Sequence, residues 1–399
     1  MNTASPHHPT PTPHASPLWR HALAAAARRG FTALAVLGVW AAVAGANAWA
    51  ASASASNDKG DLFKADAGEG FHFSHHDWEL ACDNTRTCRA AGYHPDGDEL
   101  KVSVLLTREA GAGTPVKGQV MLGQYGDEPA IDALPATFTL TLNIDERTVG
   151  KVRMDKASLV SDLPPPLVAA LTRALGHSSQ IEFVRGQNRW HLSDQGAAAA
   201  LLKMDEFQGR LGTPGALLRK GTRSEGSVRP PVPIPTLSQP RLPSAQPADA
   251  QFVARHAKAL LSALKKSDPQ EECNDIHHAE PEPPEFNATR LTATQMLVST
   301  RCWLAAYNFG YGHWIVNDKP PFQPQLVTSQ ASDEGSNELT SSMKGRGLGD
   351  CWGSDMWNWD GQRFVHTQSS TTGMCKLMAP GGAWDLPTLV TDVKPAPRP

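Results

Sequence analysis

The chain has 399 residues, 40% hydrophobic and 19% charged, with 37 basic residues against 40 acidic ones and a net charge of −3. That length is enough for more than one sizeable core. The acidic balance excludes a nucleic-acid binder, which needs a basic face to neutralise phosphates.

The first fifty residues contain no acid. Arg20, Arg28 and Arg29 precede an apolar run from Phe31 to about Ala46, and small residues follow in Ala46-Asn47-Ala48 and Ala48-Trp49-Ala50. A basic segment, an apolar stretch and an Ala-x-Ala site predict a signal peptide over residues 1–50, cleaved after Ala48 or Ala50. The mature protein is then expected in the periplasm or outside the cell, with no stable membrane span after cleavage. The pair Arg28-Arg29 leaves both the general and the twin-arginine export routes open. An uncleaved anchor is the other reading, because residues 31–51 are just long enough to cross a bilayer with the arginines kept inside. Cleavage would remove three of the basic residues and no acid, so the mature chain would be more acidic still.

All six cysteines, Cys82, Cys88, Cys273, Cys302, Cys351 and Cys375, lie in the exported part. An even number of cysteines in an exported chain points to disulfides. Their clustering favours three local bridges, Cys82–Cys88, Cys273–Cys302 and Cys351–Cys375. No Cys-x-x-Cys occurs, so no structural zinc site is expected.

Residues 60–220 begin as β structure and end mixed. Leu100, Val102, Val104 and Leu106 alternate with other residues over Glu99–Arg108, as do Phe138, Leu140, Leu142 and Ile144 over Ala136–Asp145. Period two predicts half-buried antiparallel strands. Pro164-Pro165-Pro166 opens a helix running from Leu167 to Leu175. Gln180–Ser193 reads as a hairpin around Gly186-Gln187-Asn188, and Asp194 is placed to cap a helix from Gly196 to Phe207.

Residues 221–248 are rich in proline and poor in large apolar side chains, the composition of an extended, semi-rigid linker. Residues 249–394 open with an amphipathic helix carrying Phe252, Val253, His256, Leu260, Leu261 and Leu264 on one stripe. A hairpin is expected from Thr300–Asn308 and His313–Asn317 across Phe309-Gly310-Tyr311-Gly312. A second joins Cys351–Trp359 to Gln362–Ser369 through Asp360-Gly361. A two-residue turn there pairs Trp359 with Gln362, Trp357 with Phe364 and Asp355 with His366. The fold class is therefore α+β, mostly antiparallel β, with two disulfide-containing β-rich domains on a Pro-rich linker.

Several motifs of the C-terminal part keep a fixed order: Cys302, Ala306-Tyr307-Asn308, Arg346-Gly347-Leu348-Gly349-Asp350-Cys351, Trp359-Asp360-Gly361 with Phe364, then Cys375. On these, residues 249–390 resemble a secreted bacterial family known only as domain of unknown function eleven-seventy-six. Trp352 departs from it, standing where glycine is expected. The N-terminal part is similar to the invasion-associated locus B family in Asp77-Trp78-Glu79-Leu80-Ala81-Cys82, in its late hairpin and in the Ala/Leu helix before Phe207. Both resemblances imply a periplasmic or secreted β-rich protein, and neither transfers a catalytic residue.

Six tryptophans, Trp303, Trp314, Trp352, Trp357, Trp359 and Trp384, crowd the C-terminal part. Flat rings can stack on a sugar or a partner surface, or pack around the disulfides. Trp357 and Trp359, flanking the turn, are the candidate ligand-binding pair, while Trp303 and Trp314 are expected in the core. Asp355 with His366 forms a candidate acid–base pair, but Ser354 faces the other way and no triad closes. His72, His75, His76, His277 and His278 read as surface histidines. Gly345-Arg346-Gly347-Leu348-Gly349 precedes a strand and not a helix, so it is no nucleotide loop. Ser341-x-x-Lys344 and Ser262-x-x-Lys265 lack the companion motifs of the penicillin-binding pattern. The expectation is an exported cell-envelope protein that binds an unknown envelope protein or glycan, with no catalytic residues, no metal and no cofactor. The alternative is an uncharacterised envelope hydrolase.

Overall fold

Period-two alternation builds most of the molecule. The computed structural model describes residues 70–278 and 284–395, so the expected export signal lies outside the described residues. Strands β1 (Phe71–His75), β2 (Trp78–Cys82), β3 (Cys88–Tyr93), β4 (Val102–Arg108) and β5 (Val116–Leu122) follow one another. After a short helix α1 (Pro129–Asp132) come β6 (Thr137–Ile144), β7 (Arg147–Asp155) and β8 (Val160–Asp162), then helix α2 (Pro165–Ala174), the hairpin β9 (Ile181–Arg185) and β10 (Asn188–Leu192), and helix α3 (Ala197–Phe207). One antiparallel sheet has the order β1-β2-β3-β4-β5-β8 and a second the order β10-β9-β6-β7. Trp78, Leu80, Val104, Leu106 and Val120 of the first sheet share one core with Leu140, Leu142 and Phe183 of the second and with Leu171 and Leu201 of the two helices.

The start of α3 differs from the expected cap. Gly196 occupies the cap position at φ 93°, and a Cβ there would lie 1.8 Å from the His75 carbonyl oxygen. Only glycine fits that close approach. The Asp194 carboxylate turns instead to the Ser179 amide, which donates to it at 2.9 Å.

The second half contains a short strand β11 (Thr236–Ser238), helix α4 (Phe252–Ser267) and a short helix α5 (Asn274–His277). Next come β12 (Asn287–Arg290), β13 (Gln295–Leu304), β14 (Phe309–Asn317) and β15 (Gln325–Ala331), one antiparallel sheet in that order. Then β16 (Asp333–Glu334), β17 (Glu338–Lys344), β18 (Trp352–Trp359), β19 (Phe364–Thr371) and β20 (Leu386–Leu389) form another, and β21 (Asp392–Lys394) pairs with β11 in parallel. Helix α4 packs Phe252, Leu260 and Leu264 against Met296, Val298, Trp314 and the Cys273–Cys302 bridge. Disulfides also join Cys82 to Cys88 and Cys351 to Cys375.

Two hairpins depart from expectation, each for a local reason. Residues 305–308 connect β13 to β14, and the stretch read as a turn, Phe309–Gly312, is the start of the strand. Its glycines serve close packing: a Cβ on Gly310 would lie 2.3 Å from Trp303 Nε1, and one on Gly312 2.3 Å from the Trp314 ring. Between β18 and β19 the turn has four residues, 360–363. The Asp360 carboxylate accepts the amides of Gln362 and Arg363, extending the turn beyond Gly361. The register becomes Trp359 with Phe364, Trp357 with His366 and Asp355 with Ser369. The shift is two at Trp359 and Trp357, which preserves their shared face, and three at Asp355, beyond a bulge between Met356 and Trp357.

No clear arrangement of two domains on a free linker is seen among the described residues, which fall in one compact unit, Leu62–Pro399. The proline-rich segment lies as a strap. The Val232 amide donates to Thr85 O, the Arg229 amide to Gln208 O, and the Asn337 side chain to Pro240 O. Proline pre-extends the backbone, so docking it costs little further entropy. The chain end also returns to the first half. Met378 and Leu386, with Met374 and Trp384, pack on Ala81, Ala91, Tyr93, Leu105 and Met121, the outer face of the first sheet. Every residue of β2 is consequently buried.

Candidate functional site

Trp357 and Trp359 both project from β18 toward the β12–β15 sheet, where Leu339, Trp359 and Phe364 meet Leu297 and Ile315. Trp359 is 1% exposed, its ring centroid 5.3 Å from that of Phe364. The exposed place at the turn, expected for Trp359, goes to Gln362 and Arg363 because the turn is longer. Trp357 is half-buried and stacks on His366, ring centroids 5.0 Å apart. Trp314 is fully buried, whereas Trp303 is half-buried and donates its indole N–H to Ser329 O at 3.0 Å.

His366 and Asp355 do meet, by a different route from the one expected. A bulge at Thr367 swings His366 Nε2 to 2.8 Å from Asp355 Oδ1, although the two residues are not cross-strand partners. Ser354 Oγ instead bonds Ser370 Oγ at 2.9 Å. No hydroxyl bonds His366 among the described residues, so the pair has an acid–base couple and no nucleophile.

A second histidine–carboxylate group, not foreseen in the sequence, lies between the two C-terminal sheets. His313 Nε2 sits 2.9 Å from Glu334 Oε2, which also accepts the Ser299 hydroxyl at 3.0 Å, while Thr289 donates to Oε1 at 3.2 Å. Burial alone would raise the Glu334 carboxyl, but these donors outweigh it and hold it below the usual range. Its two carboxylate oxygens are thus occupied, and the cluster reads as an internal clamp between sheets.

The other motifs resolve structurally. Arg346 forks onto Asp350, which also accepts the Leu377 amide at 2.8 Å, so the Gly345–Gly349 loop is tied to the returning chain end. Lys344 lies over the Trp352 ring at 5.4 Å. His72 faces Glu79 at 3.4 Å and His277 faces Asp268 at 3.1 Å. Among the described residues the one grouping with metal-ligand spacing is Asp350, Cys351 and Cys375, and its two sulfurs are bonded to each other. No helix of the described residues is long and apolar enough to cross a membrane.

What does stand out is a surface. Of the large apolar side chains exposed among the described residues, Leu304, Tyr307, Phe309 and Tyr311 lie at the β13–β14 tip, Leu348 in the neighbouring 345–349 loop and Ile234 elsewhere. Leu304 pairs with Phe309 across the hairpin, and Tyr311 meets Phe309 edge-on with centroids 6.0 Å apart. The Asn308 side chain bonds both backbone groups of Lys344, at 3.0 and 2.9 Å, which brings Tyr307 beside Gly347 and next to Leu348. Exposed apolar side chains that gather in one place mark interaction sites more often than singly scattered ones do. In the sequence its signal is the run of apolar and aromatic residues Leu304, Tyr307, Phe309 and Tyr311.

Comparison with known proteins adds a lineage. The uncharacterized protein YpfG of Escherichia coli (strain K12) is 28% identical over 339 residues, covering 78% of this chain and 90% of that protein. No solved structure matches the chain. A family described as "Protein of unknown function (DUF1176)" matches residues 72–391. That match runs through both halves, whereas the ordered motifs carry the resemblance only over 249–390 and the N-terminal motifs point to a second family. No separate invasion-associated locus B-like module is identified there. With one family spanning the strap and the returning chain end alike, the chain belongs to the DUF1176 family of proteins of unknown function.

Proposed function

We propose that this chain is an exported cell-envelope protein that acts by binding a protein partner, without catalysis, through the β13–β14 tip. The observation that carries the reading is the exposed cluster of Leu304, Tyr307, Phe309, Tyr311 and Leu348. Two leucines among three phenols and phenyls suit a protein surface better than a sugar, which prefers flat rings edged with polar groups. Trp359 belongs to the core in this reading, and Trp357, leaning on His366, borders the surface at most. Export rests on the basic and apolar pattern of residues 1–50 and on the disulfides.

The test is photo-crosslinking in the native host. A photoreactive phenylalanine at Phe309 is expected to trap a discrete partner, whereas one at Ile234, exposed elsewhere, is not. Equal crosslinking at both positions, or capture of peptidoglycan fragments alone, would overturn the protein-partner reading. Trp359→Ala should cost about 3–5 kcal/mol of stability as a large-to-small core change. Tyr307→Ser should leave the melt nearly unchanged while losing the partner.

The hydrolase reading keeps one observation, the His366–Asp355 bond on a solvent-open face. Assay of His366→Ala against envelope glycan and peptide substrates tests it; turnover by the wild type that the variant lacks would replace the binding reading.

A further inference from the structure

A cavity of about 390 Å³ opens between helix α2, the start of β5 and the loop 215–220. Its wall is apolar at Val116, Val168 and Leu217, and its charged members are Arg108, Arg173 and Lys220, with no acid in the lining. The size falls within the range of small-molecule sites, which are mostly apolar with a few convergent polar groups.

Its floor is under-satisfied. Arg108 is 5% exposed and donates its Nε–H to Thr114 O at 3.1 Å, yet its buried Nη1 has no hydrogen-bond partner. That Nη1 forms an ion pair with Asp205 Oδ1 at 3.5 Å, too long for a hydrogen bond, so both atoms keep their charge partner and lack a hydrogen bond. Arg210, fully buried beside them, spends its Nη2 on Glu109 O, Gly111 O and the Thr114 hydroxyl and leaves its own Nη1 unpartnered. A buried guanidinium without its bonds is costly. Burial, then the neighbouring Arg210, brings the Arg108 guanidinium down to about 10. Asp205 and the more open Glu225 are the acids within reach of Arg108 and Arg210. Arg173 and Lys220, exposed at the rim, pair with no acid among the described residues. Three cations therefore line the apolar hollow, and the carboxylates of Asp205 and Glu225 lie outside its lining, on the Arg108 and Arg210 side.

We propose that this cavity binds a small monoanionic amphiphile, with its head among Arg108, Arg173 and Lys220 and its apolar body along Val116, Val168 and Leu217. A single anion balances part of the excess charge, and a short alkyl chain fills the rest. Such a site lies in the first half, far in sequence from the β13–β14 tip, and does not depend on the binding reading above.

Calorimetric titration of the full mature chain tests the assignment, with decanoate, decanol and decyltrimethylammonium as probes. Decanoate is expected to bind at least about tenfold more tightly than decanol, and the cation not at all. Arg173→Gln combined with Lys220→Gln changes exposed residues only, so the fold should survive, as its melt would show. That variant should bring decanoate to the affinity of decanol. Val116→Trp, filling the hollow from its half-buried side, should abolish decanoate binding. Equal affinity for decanoate and decanol in the wild type, or decanoate binding unaffected by either variant, overturns the proposal, as does the absence of binding at concentrations on the order of 1 mM.

Discussion

Two apolar sheet surfaces in this protein meet opposite fates. The outer face of the first sheet carries Ala81, Ala91, Leu105 and Met121, and the chain's own end covers it with Met378, Leu386 and Trp384. The end of the β13–β14 hairpin carries Leu304, Phe309 and Tyr311, and nothing among the described residues covers it. The covered face also has a polar frame. Glu79 accepts both the Tyr93 hydroxyl at 2.6 Å and the Met374 amide at 2.7 Å, Lys376 bridges Asp77 and Asp96, and the Trp384 indole donates to Ser103 at 2.7 Å. An apolar face framed by satisfied hydrogen bonds is a finished internal seam. An apolar face without that frame is left for something else.

The largest expected effect lies in the covered face. Leu386 is fully buried, and Leu386→Ala should cost about 2–5 kcal/mol by denaturant melt, through lost transfer energy and a cavity. A cost near zero would mean that the chain end is only loosely applied. Tyr93→Phe comes next. It removes one donor from the buried Glu79 carboxylate, and should cost about 1–3 kcal/mol.

The seam should also respond to pH. Lys376 holds Asp96 below the usual carboxylate range. Burial would raise Asp350, but Arg346 and the Leu377 amide outweigh it and keep it low. Carboxyls lowered in the folded state stabilise it above their unfolded value near 4, and that contribution is lost as pH falls through the folded value. Lys376 behaves in the opposite sense. Burial would lower it, but Asp77 and Asp96 raise it, so its contribution holds below about 10.4 and fades as pH rises through the raised value. Hydrogen exchange of residues 372–390 should therefore quicken below about pH 4, ahead of the first sheet's core, after correction for intrinsic rates. Simultaneous loss of both would place the acid-sensitive groups elsewhere.

At the uncovered tip the stability effects should be small. Phe309→Ser and Leu348→Ser are expected within about 0.5 kcal/mol of the wild type; a larger loss would make the tip part of the core and erase the contrast. Finally, a protease cut inside 221–248 should leave the two halves associated on a sizing column, because the chain end of one is packed on the sheet of the other. Separation of the halves would restore the picture of two bodies on a linker.

Local pattern carried much of the secondary structure. Alternation marked β4 and β6, the prolines marked the start of α2, and the Phe252–Leu264 stripe marked α4, because each depends on residues a few positions apart. Turn details were less legible. Asp360-Gly361 signalled a hairpin, but whether Asp360 would cap a longer turn depended on where its carboxylate pointed. The candidate site suffered for the same reason, since the exposure of Trp359 rested on that turn.

By itself the sequence determined an α+β chain of antiparallel strands and the three local disulfides that its cysteine clusters form. Tertiary structure alone decided which faces are finished. The bond from the Met374 amide to Glu79 spans 295 positions, and no periodicity within a strand can announce it. The strap reads as a linker by composition because proline-rich, apolar-poor chain cannot build a core of its own. It docks here because the two halves supply the surface and the hydrogen bonds that it lacks. The incompletely bonded guanidinium of Arg108 is likewise invisible in sequence, since an arginine on an alternating strand shows which of its N–H groups lack a hydrogen bond only once the helices and loops around it are in place.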